Sequence, residues 1–314
     1  MSRNAEGEAV RYRGRRAQIP LYLKKFFRMF LFMNDWKVIP MAALVAAVTS
    51  IVVADKMSVD MEGTLKGALA LSCICIWNGF FNSIQSVCRE RDVIKREHRN
   101  GMHIFSYVTA QMIYQAFICL CQVAVTLGVC ALFKMKLEAE WTSKTAYLLC
   151  LGLTLFLLTY AADMTSLFVS AAVRSTTASM TVMPFMLIFE LVFSNTVFRP
   201  GGILAKLTDL SLVKWGVRAV AGIANYNSLP MSSVWSQLSA WKDFKYLGMH
   251  PIQILLESMD KEKICQMAGE MNYTADYATT VQNIGTCWVA LVLFAMIFAI
   301  LTMIVLKRLD ADKR

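Results

Sequence analysis

Six apolar stretches divide the sequence, and their lengths constrain the fold more than any other feature. A helix needs about 20 predominantly apolar residues to cross the hydrocarbon core of a bilayer. We interpret six segments as such spans: residues 38–53, 65–87, 105–133, 146–172, 176–198 and 285–306. Only 17% of the 314 residues are charged and 57% are hydrophobic, which is far from the balance of a soluble domain. We therefore predict an all-α, polytopic membrane protein with six transmembrane helices.

Basic residues beside these stretches predict the orientation of the chain. Lysine and arginine are concentrated before the first predicted span, between the second and third spans, and after the sixth. Positively charged loops stay on the cytoplasmic side, so we expect a plasma-membrane protein with both termini in the cytoplasm. The net charge of +10 follows from this topology, and we do not interpret it as a nucleic-acid-binding surface.

The predicted spans leave two regions that need a different interpretation. Residues 18–32 set leucine and phenylalanine against Lys24 and Lys25, which is typical of an amphipathic helix in the inner interface. Residues 199–224 are apolar but too short to cross, so we predict re-entrant helices followed by an extracellular cap that reaches residue 283. The predicted regions are an N-terminus at 1–37, spans one to five at 38–198, the outer region at 199–283, and span six with a tail at 284–314.

A charged segment at residues 89–101 joins the second and third spans. Its signs alternate, with Arg89 and Arg91 next to Glu90 and Asp92. Topology alone requires only lysine and arginine in such a loop, so the acidic residues favour a short helix that docks on a cytoplasmic partner. The alternative is a solvated loop whose charge only sets the orientation.

The order and spacing of several short motifs carry a family resemblance. The charged segment and the start of the next span contain Glu90, Arg91, Lys95, Arg96, Glu97, Gly101, Tyr107, Ala110 and Gln111. The amphipathic region contains Gln18, Leu21, Lys24 and Lys25, and two further motifs occupy residues 166–171 and 211–219. Together these motifs resemble the membrane domain of the G subfamily of ATP-binding-cassette (ABC) exporters. The initial methionine favours a separate permease subunit, as in bacterial members of that family.

The resemblance implies that this chain forms the transport pathway and that a partner ATPase binds ATP. Residues 89–101 would be the coupling helix, and the contacts with the ATPase would come from Glu90, Arg91, Lys95, Arg96, Glu97, Lys24 and Lys25. The sequence contains no G-x-x-x-x-G-K-[ST] motif, so we expect this chain to bind no cofactor. We expect ATP and Mg²⁺ to bind to a partner ATPase. That ATPase would be a separate chain or a domain absent from this sequence. The other expected partners are a second permease copy, in a homodimer or heterodimer, and membrane lipid.

Polar and deformable side chains within two spans are candidates for a substrate cavity. In span two, Asn78, Asn82 and Gln85 share one helical face with Phe81. Interhelical hydrogen bonding explains such a stripe as well as cavity lining does, and the resemblance favours the cavity. In span five the candidates are Met186, Phe189, Glu190 and Phe193, for which core packing is the alternative. Asp163 in span four is a second carboxyl within the membrane.

These features favour transport over catalysis. The histidines and cysteines show no metal-ligand spacing and no catalytic triad, although Cys265 and Cys287 leave a disulfide possible. We predict the permease subunit of an ATP-driven exporter that moves hydrophobic or amphipathic cargo outward by alternating access. The alternatives are a six-span exporter of polysaccharide or another lipid-linked polymer, and a channel or scaffold unrelated to ABC transporters.

Overall fold

The computed structural model describes residues 14–33, 35–138, 141–198, 200–242, 244 and 250–308. Within these residues the protein is helical and contains no strand. The most N-terminal basic residues, the start of the predicted re-entrant region at Arg199, part of the predicted cap at 245–249 and the tail from residue 309 lie outside the described residues.

Fourteen α-helices occur in the described part of the chain. They are α1 (Arg15–Phe32), α2 (Val38–Val53), α3 (Met61–Ser83), α4 (Ser86–Arg89), α5 (Arg91–Arg99), α6 (Ile104–Leu132), α7 (Lys144–Ala172), α8 (Thr176–Val192), α9 (Leu204–Leu207), α10 (Leu212–Ile223), α11 (Ser232–Ala240), α12 (Pro251–Ser258), α13 (Lys261–Met271) and α14 (Val281–Arg308).

Five segments are long and apolar enough to cross a membrane, and α8 is shorter. The five are Asp35–Val53, Met61–Arg89, Ile104–Leu132, Lys144–Ala172 and Val281–Arg308. The span predicted at 176–198 is a helix only as far as Val192, because the chain turns there through Asn195, whose φ of 59° is left-handed. With 17 residues, α8 is about 25 Å long, slightly less than a typical hydrocarbon core. The sixth span therefore stays a prediction.

Small residues allow the central helices to approach closely. Gly79 of α3 faces α7 so tightly that a Cβ atom there would lie 2.4 Å from the carbonyl oxygen of Thr159. Gly216 of α10 is packed in the same way against Leu158 of α7. Such contacts are how helices associate where lipid removes the hydrophobic driving force. Helices α3, α7, α10 and α14 therefore form the packed centre of the molecule.

Helix α1 lies against the inner end of α6 through aromatic contacts. The ring of Phe26 is 5.5 Å from that of Tyr107, and Tyr22 meets the same ring at 5.9 Å. On the opposite side Lys24 and Arg28 are exposed. The helix is amphipathic, with one face on the protein and a basic face free for solvent or lipid head groups.

Helix α10 and the elements that follow it pack against the long helices. Helix α10 is buried along most of its length, against α3, α7 and α14. Trp141 donates a hydrogen bond of 2.9 Å to the carbonyl oxygen of Ile223 at the end of α10. Helix α13 holds Cys265 in a buried position, and this thiol and that of Cys287 are both free, so the possible disulfide is not formed.

Candidate functional site

The charged segment starts at the last residue of the short helix α4 and forms the helix α5, which turns the chain between α3 and α6. Helix α5 follows directly after Glu90. Ile94 is buried in α5, Asp92 lies in the first turn, and Arg96, His98 and Arg99 lie in the last turn. That distribution of charge agrees with the helix dipole and stabilises a helix of only nine residues.

One lysine from α1 binds two carboxylates of the charged segment. The Nζ atom of Lys25 lies 3.2 Å from Oε2 of Glu90 and 3.3 Å from Oε1 of Glu97. All three side chains are partly shielded from solvent. The predicted coupling residues Lys25, Glu90 and Glu97 therefore pair with one another, and they join α1 to the charged segment.

Two further contacts fix the position of the charged segment. The side-chain amide of Gln18 donates to the carbonyl oxygen of Gly101 at 3.1 Å and accepts from the backbone N–H of His103 at 2.9 Å. The guanidinium of Arg91 donates to the carbonyl oxygen of Val173 at 2.7 Å, just beyond the inner end of α7. The segment is thus bound to α1, α6 and α7 together.

The tyrosines between α1 and α6 are neutral hydrogen-bonding groups at the same junction. Burial raises the pKa of Tyr22 to about 12, and the negative charge of Glu97 adds to the shift. The phenol of Tyr22 therefore keeps its proton at physiological pH and can donate to a carboxylate.

The opposite face of α5 is open. Asp92, Arg96 and Arg99 are exposed, and their spacing of four and three residues places them on one side of the helix. Lys95 is half-buried beside them, and Lys24 of α1 is exposed. Of the residues that the sequence assigns to coupling, Arg96, Lys24 and part of Lys95 are therefore accessible to another molecule.

A cavity of about 210 Å³ lies behind the charged segment, between α1, α2, α3 and α6. Three of the predicted cavity residues line it: Phe81, Asn82 and Gln85. Its inner end holds Arg89, whose guanidinium donates to both carboxylate oxygens of Asp35 at 3.3 and 3.0 Å. The predicted residues Phe81, Asn82 and Gln85 of the second span therefore lie together on one wall of this cavity, and their role in binding cargo stays a prediction.

Asn82 also belongs to a hydrogen-bond network between spans. Its side-chain amide exchanges two hydrogen bonds with Gln122 of α6, at 2.8 and 3.0 Å. The hydroxyl of Ser83 donates to the buried carboxylate of Asp163 and accepts from Gln115 at 2.8 Å. For Asn82, interhelical hydrogen bonding and cavity lining therefore occur together.

The polar face of α6 was not predicted from sequence, although Gln111 was named there as a motif residue. Gln111, Gln115 and Gln122 follow one another at four and seven residues, which places them on one face of the helix. Polar side chains in a span are expected to face the protein interior, so this spacing was a usable signal.

The predicted residues of span five lie in a different place. Met186, Phe189 and Glu190 line a mainly apolar groove of about 330 Å³ that Leu212 and Phe298 complete. Phe193 packs on Phe189, with 4.8 Å between ring centroids. Asn78 of span two is buried and lines neither this groove nor the inner cavity. The structure of the single chain does not join the two sets of predicted residues in one cavity.

Glu190 binds the start of α10. One of its carboxylate oxygens accepts from the hydroxyl of Ser211 at 2.8 Å and from the backbone N–H of Val213 at 3.0 Å. The side chain is only 6% exposed. Helix N-termini carry unsatisfied N–H groups that a carboxylate stabilises, so Glu190 acts as a cap that links α8 to α10.

Comparison with known proteins places the chain in a family. The family model described as "ABC-2 type transporter" matches residues 16–224, from the start of α1 to just beyond α10. The chain therefore belongs to the ABC-2 type transporter family, and it is a multi-pass membrane permease component of an ABC transporter, not itself the catalytic part. None of the curated proteins matches it.

Proposed function

We propose that this permease works in an ATP-driven exporter of the G-subfamily-like class, as a dimer with two ATPase subunits or domains. It would move hydrophobic or amphipathic cargo outward across the plasma membrane, through six spans per copy with both termini in the cytoplasm. ATP and Mg²⁺ would bind to the ATPase. The observation that carries this proposal is the two-sided charged segment, because one face is paired within the chain and the other is exposed and mainly basic.

The exposed face supports docking to the ATPase. Arg96 and Arg99 with half-buried Lys95 outnumber the single acid Asp92, so the complementary surface on the ATPase is expected to be acidic. Charge-assisted contacts of this kind favour rapid and specific association at low salt.

The paired face supports transmission of force. Because Lys25 binds Glu90 and Glu97, and Arg91 binds the end of α7, a displacement of α5 moves α1 and the inner ends of the spans with it. The amphipathic helix α1 and the charged segment thus move together as one rigid body. A rigid-body shift of this kind alternates access to a cavity.

Unpaired surfaces on α3 and α8 support the second permease copy. Trp77 and Phe81 stack on each other 5.9 Å apart on α3, and they are 43% and 42% exposed. Phe185 of α8 is 69% exposed. A partner copy or lipid has to cover these groups, and a copy placed there would join the inner cavity and the span-five groove into a shared space.

Co-purification with an ATPase tests the proposal. The chain would be expressed with its neighbouring genes and reconstituted in proteoliposomes, where we expect an ATPase to co-elute and a fluorescent amphiphile to accumulate only with ATP. Ion conductance without an ATPase would support the channel alternative. ATP-dependent export restricted to a lipid-linked polymer would support the polymer exporter.

A further inference from the structure

The inner cavity contains an acceptor that the protein leaves without a donor. Gln111 of α6 lines the cavity and is 3% exposed, and its Oε1 atom has no hydrogen-bond partner among the described residues. Buried polar atoms are nearly always paired, so an unpaired acceptor on a side chain that lines a cavity indicates a missing donor.

The ion pairs around the cavity leave one excess negative charge. Arg89 is matched by Asp35, so this pair contributes no net charge. Lys25 is shared by Glu90, which lines the cavity, and by Glu97, so that group carries one excess negative charge. The cavity is therefore suited to a ligand that donates hydrogen bonds and carries positive charge.

Four aromatic side chains form part of the cavity wall. Phe26, Tyr107, Tyr114 and Phe81 line the same space. Aromatic faces attract ammonium groups through their quadrupoles, and the attraction is stronger where water is excluded. Anions and uncharged alcohols gain no such attraction from these walls.

The size and opening of the cavity define what part of a ligand it holds. Its volume of about 210 Å³ is below the roughly 300–1,000 Å³ typical of sites for drug-sized ligands, so it accommodates a head group. Phe81 and Met180, which also line it, are exposed at the surfaces of α3 and α8. An alkyl chain attached to the head group can leave between these two helices.

We infer that this cavity binds the ammonium head group of a cationic amphiphile, with Gln111 as hydrogen-bond acceptor and Glu90 as the nearby negative charge. Identification of that amphiphile as cargo rests on the proposed function, whereas its binding does not. Gln111 is a binding residue in this account, and Lys25 positions Glu90.

Three single-chain amphiphiles with the same tail test the inference. Dodecylamine, dodecanol and dodecanoate are titrated into the full chain in dodecyl maltoside, without ATPase or ATP, and the thermal unfolding midpoint is recorded. We expect dodecylamine to stabilise the protein at concentrations at least tenfold lower than the other two. Equal effects of the three compounds would overturn the inference.

Two matched substitutions on α6 make the test specific. Gln111→Leu should weaken dodecylamine binding about tenfold or more without lowering the midpoint of the ligand-free protein, because it removes an unpaired acceptor. Gln122→Leu should lower that midpoint, because it breaks the pair with Asn82, yet keep the preference for dodecylamine. Unchanged dodecylamine binding in Gln111→Leu would contradict the assigned role.

The two proposals fail separately. If dodecylamine is not preferred but an ATPase co-purifies, the head-group site is rejected and the exporter proposal stands. If dodecylamine is preferred but the chain binds no ATPase, the head-group site stands and its role in export is rejected.

Discussion

Carboxylates join neighbouring elements at both ends of the molecule, but in different surroundings. Beside the charged segment, Lys25 binds buried Glu90, which is 9% exposed, and partly exposed Glu97. At the other end of the bundle, Glu190 is buried and binds neutral donors, Ser211 and the N–H of Val213. An ion pair that keeps contact with solvent, such as Lys25–Glu97, contributes little stability, whereas a buried N–H that loses its acceptor is costly. The Lys25 link therefore joins α1 to the charged segment through charges, and the Glu190 link joins α8 to α10 through buried neutral donors.

The largest effect is expected at Glu190. Glu190→Ala leaves the buried N–H of Val213 without an acceptor, whereas the hydroxyl of Ser211 can still donate to the backbone carbonyl of residue 190, so the free energy of unfolding should fall by roughly 1–3 kcal/mol. Thermal unfolding in detergent measures the change. Glu190→Gln keeps an acceptor oxygen and should lose less, and Glu270→Ala, on an exposed residue of α13, should lose nothing. Equal stability of Glu190→Ala and Glu270→Ala would remove the contrast between the two ends.

A smaller effect is expected at the amide pair between α3 and α6. Asn82→Leu and Gln122→Leu each leave one amide without its partner, and each should lower stability by about 1 kcal/mol. The double substitution should recover part of the loss, because it leaves no unpaired group. A double-mutant cycle on unfolding free energies checks this, and strict additivity would show that the pair contributes no coupling.

A comparably small effect on stability, with a distinct effect on function, is expected at Lys25. Lys25→Glu takes the cation away from buried Glu90, but Lys25 and Glu97 are partly exposed, so it should lower stability by about 1 kcal/mol and reduce the cargo moved per ATP hydrolysed. Lys24→Glu, on the exposed neighbour, is the matched control and should leave coupling intact. The exchange Lys25→Glu with Glu97→Lys should restore much of the coupling, and a failure to restore it would indicate that the position of the charge matters more than the pair.

The sequence predicted the helical class, because apolar length is a local signal. Phe81, Asn82 and Gln85 line the cavity behind the charged segment, and their role in binding cargo stays a prediction. The sequence did not predict that Glu90 and Glu97 turn toward Lys25. That pairing joins residues more than sixty positions apart, and the alternating signs of the segment are equally compatible with a partner outside the chain.

Glu190 was singled out by sequence for the cost of a carboxylate within a span. Its role as a cap for α10 was not predictable, because the donors are a serine and a backbone N–H on an element beyond the end of α8. The short length of α8 was also missed, because Phe193, Val197 and Phe198 extend the apolar pattern past the end of the helix, although Ser194, Asn195 and Thr196 lie between them.

We expect the exposed basic face of α5 to bind the ATPase. The dissociation constant of the permease and the ATPase is the measurement that checks this. Arg96→Glu with Arg99→Glu reverses two exposed charges, and Lys261→Glu with Lys263→Glu makes the same change on exposed residues of α13. We predict that the first pair raises the dissociation constant of the ATPase at least tenfold, with an unchanged unfolding midpoint, and that the second pair leaves it unaltered. An unchanged dissociation constant for the Arg96 and Arg99 variant would contradict the account.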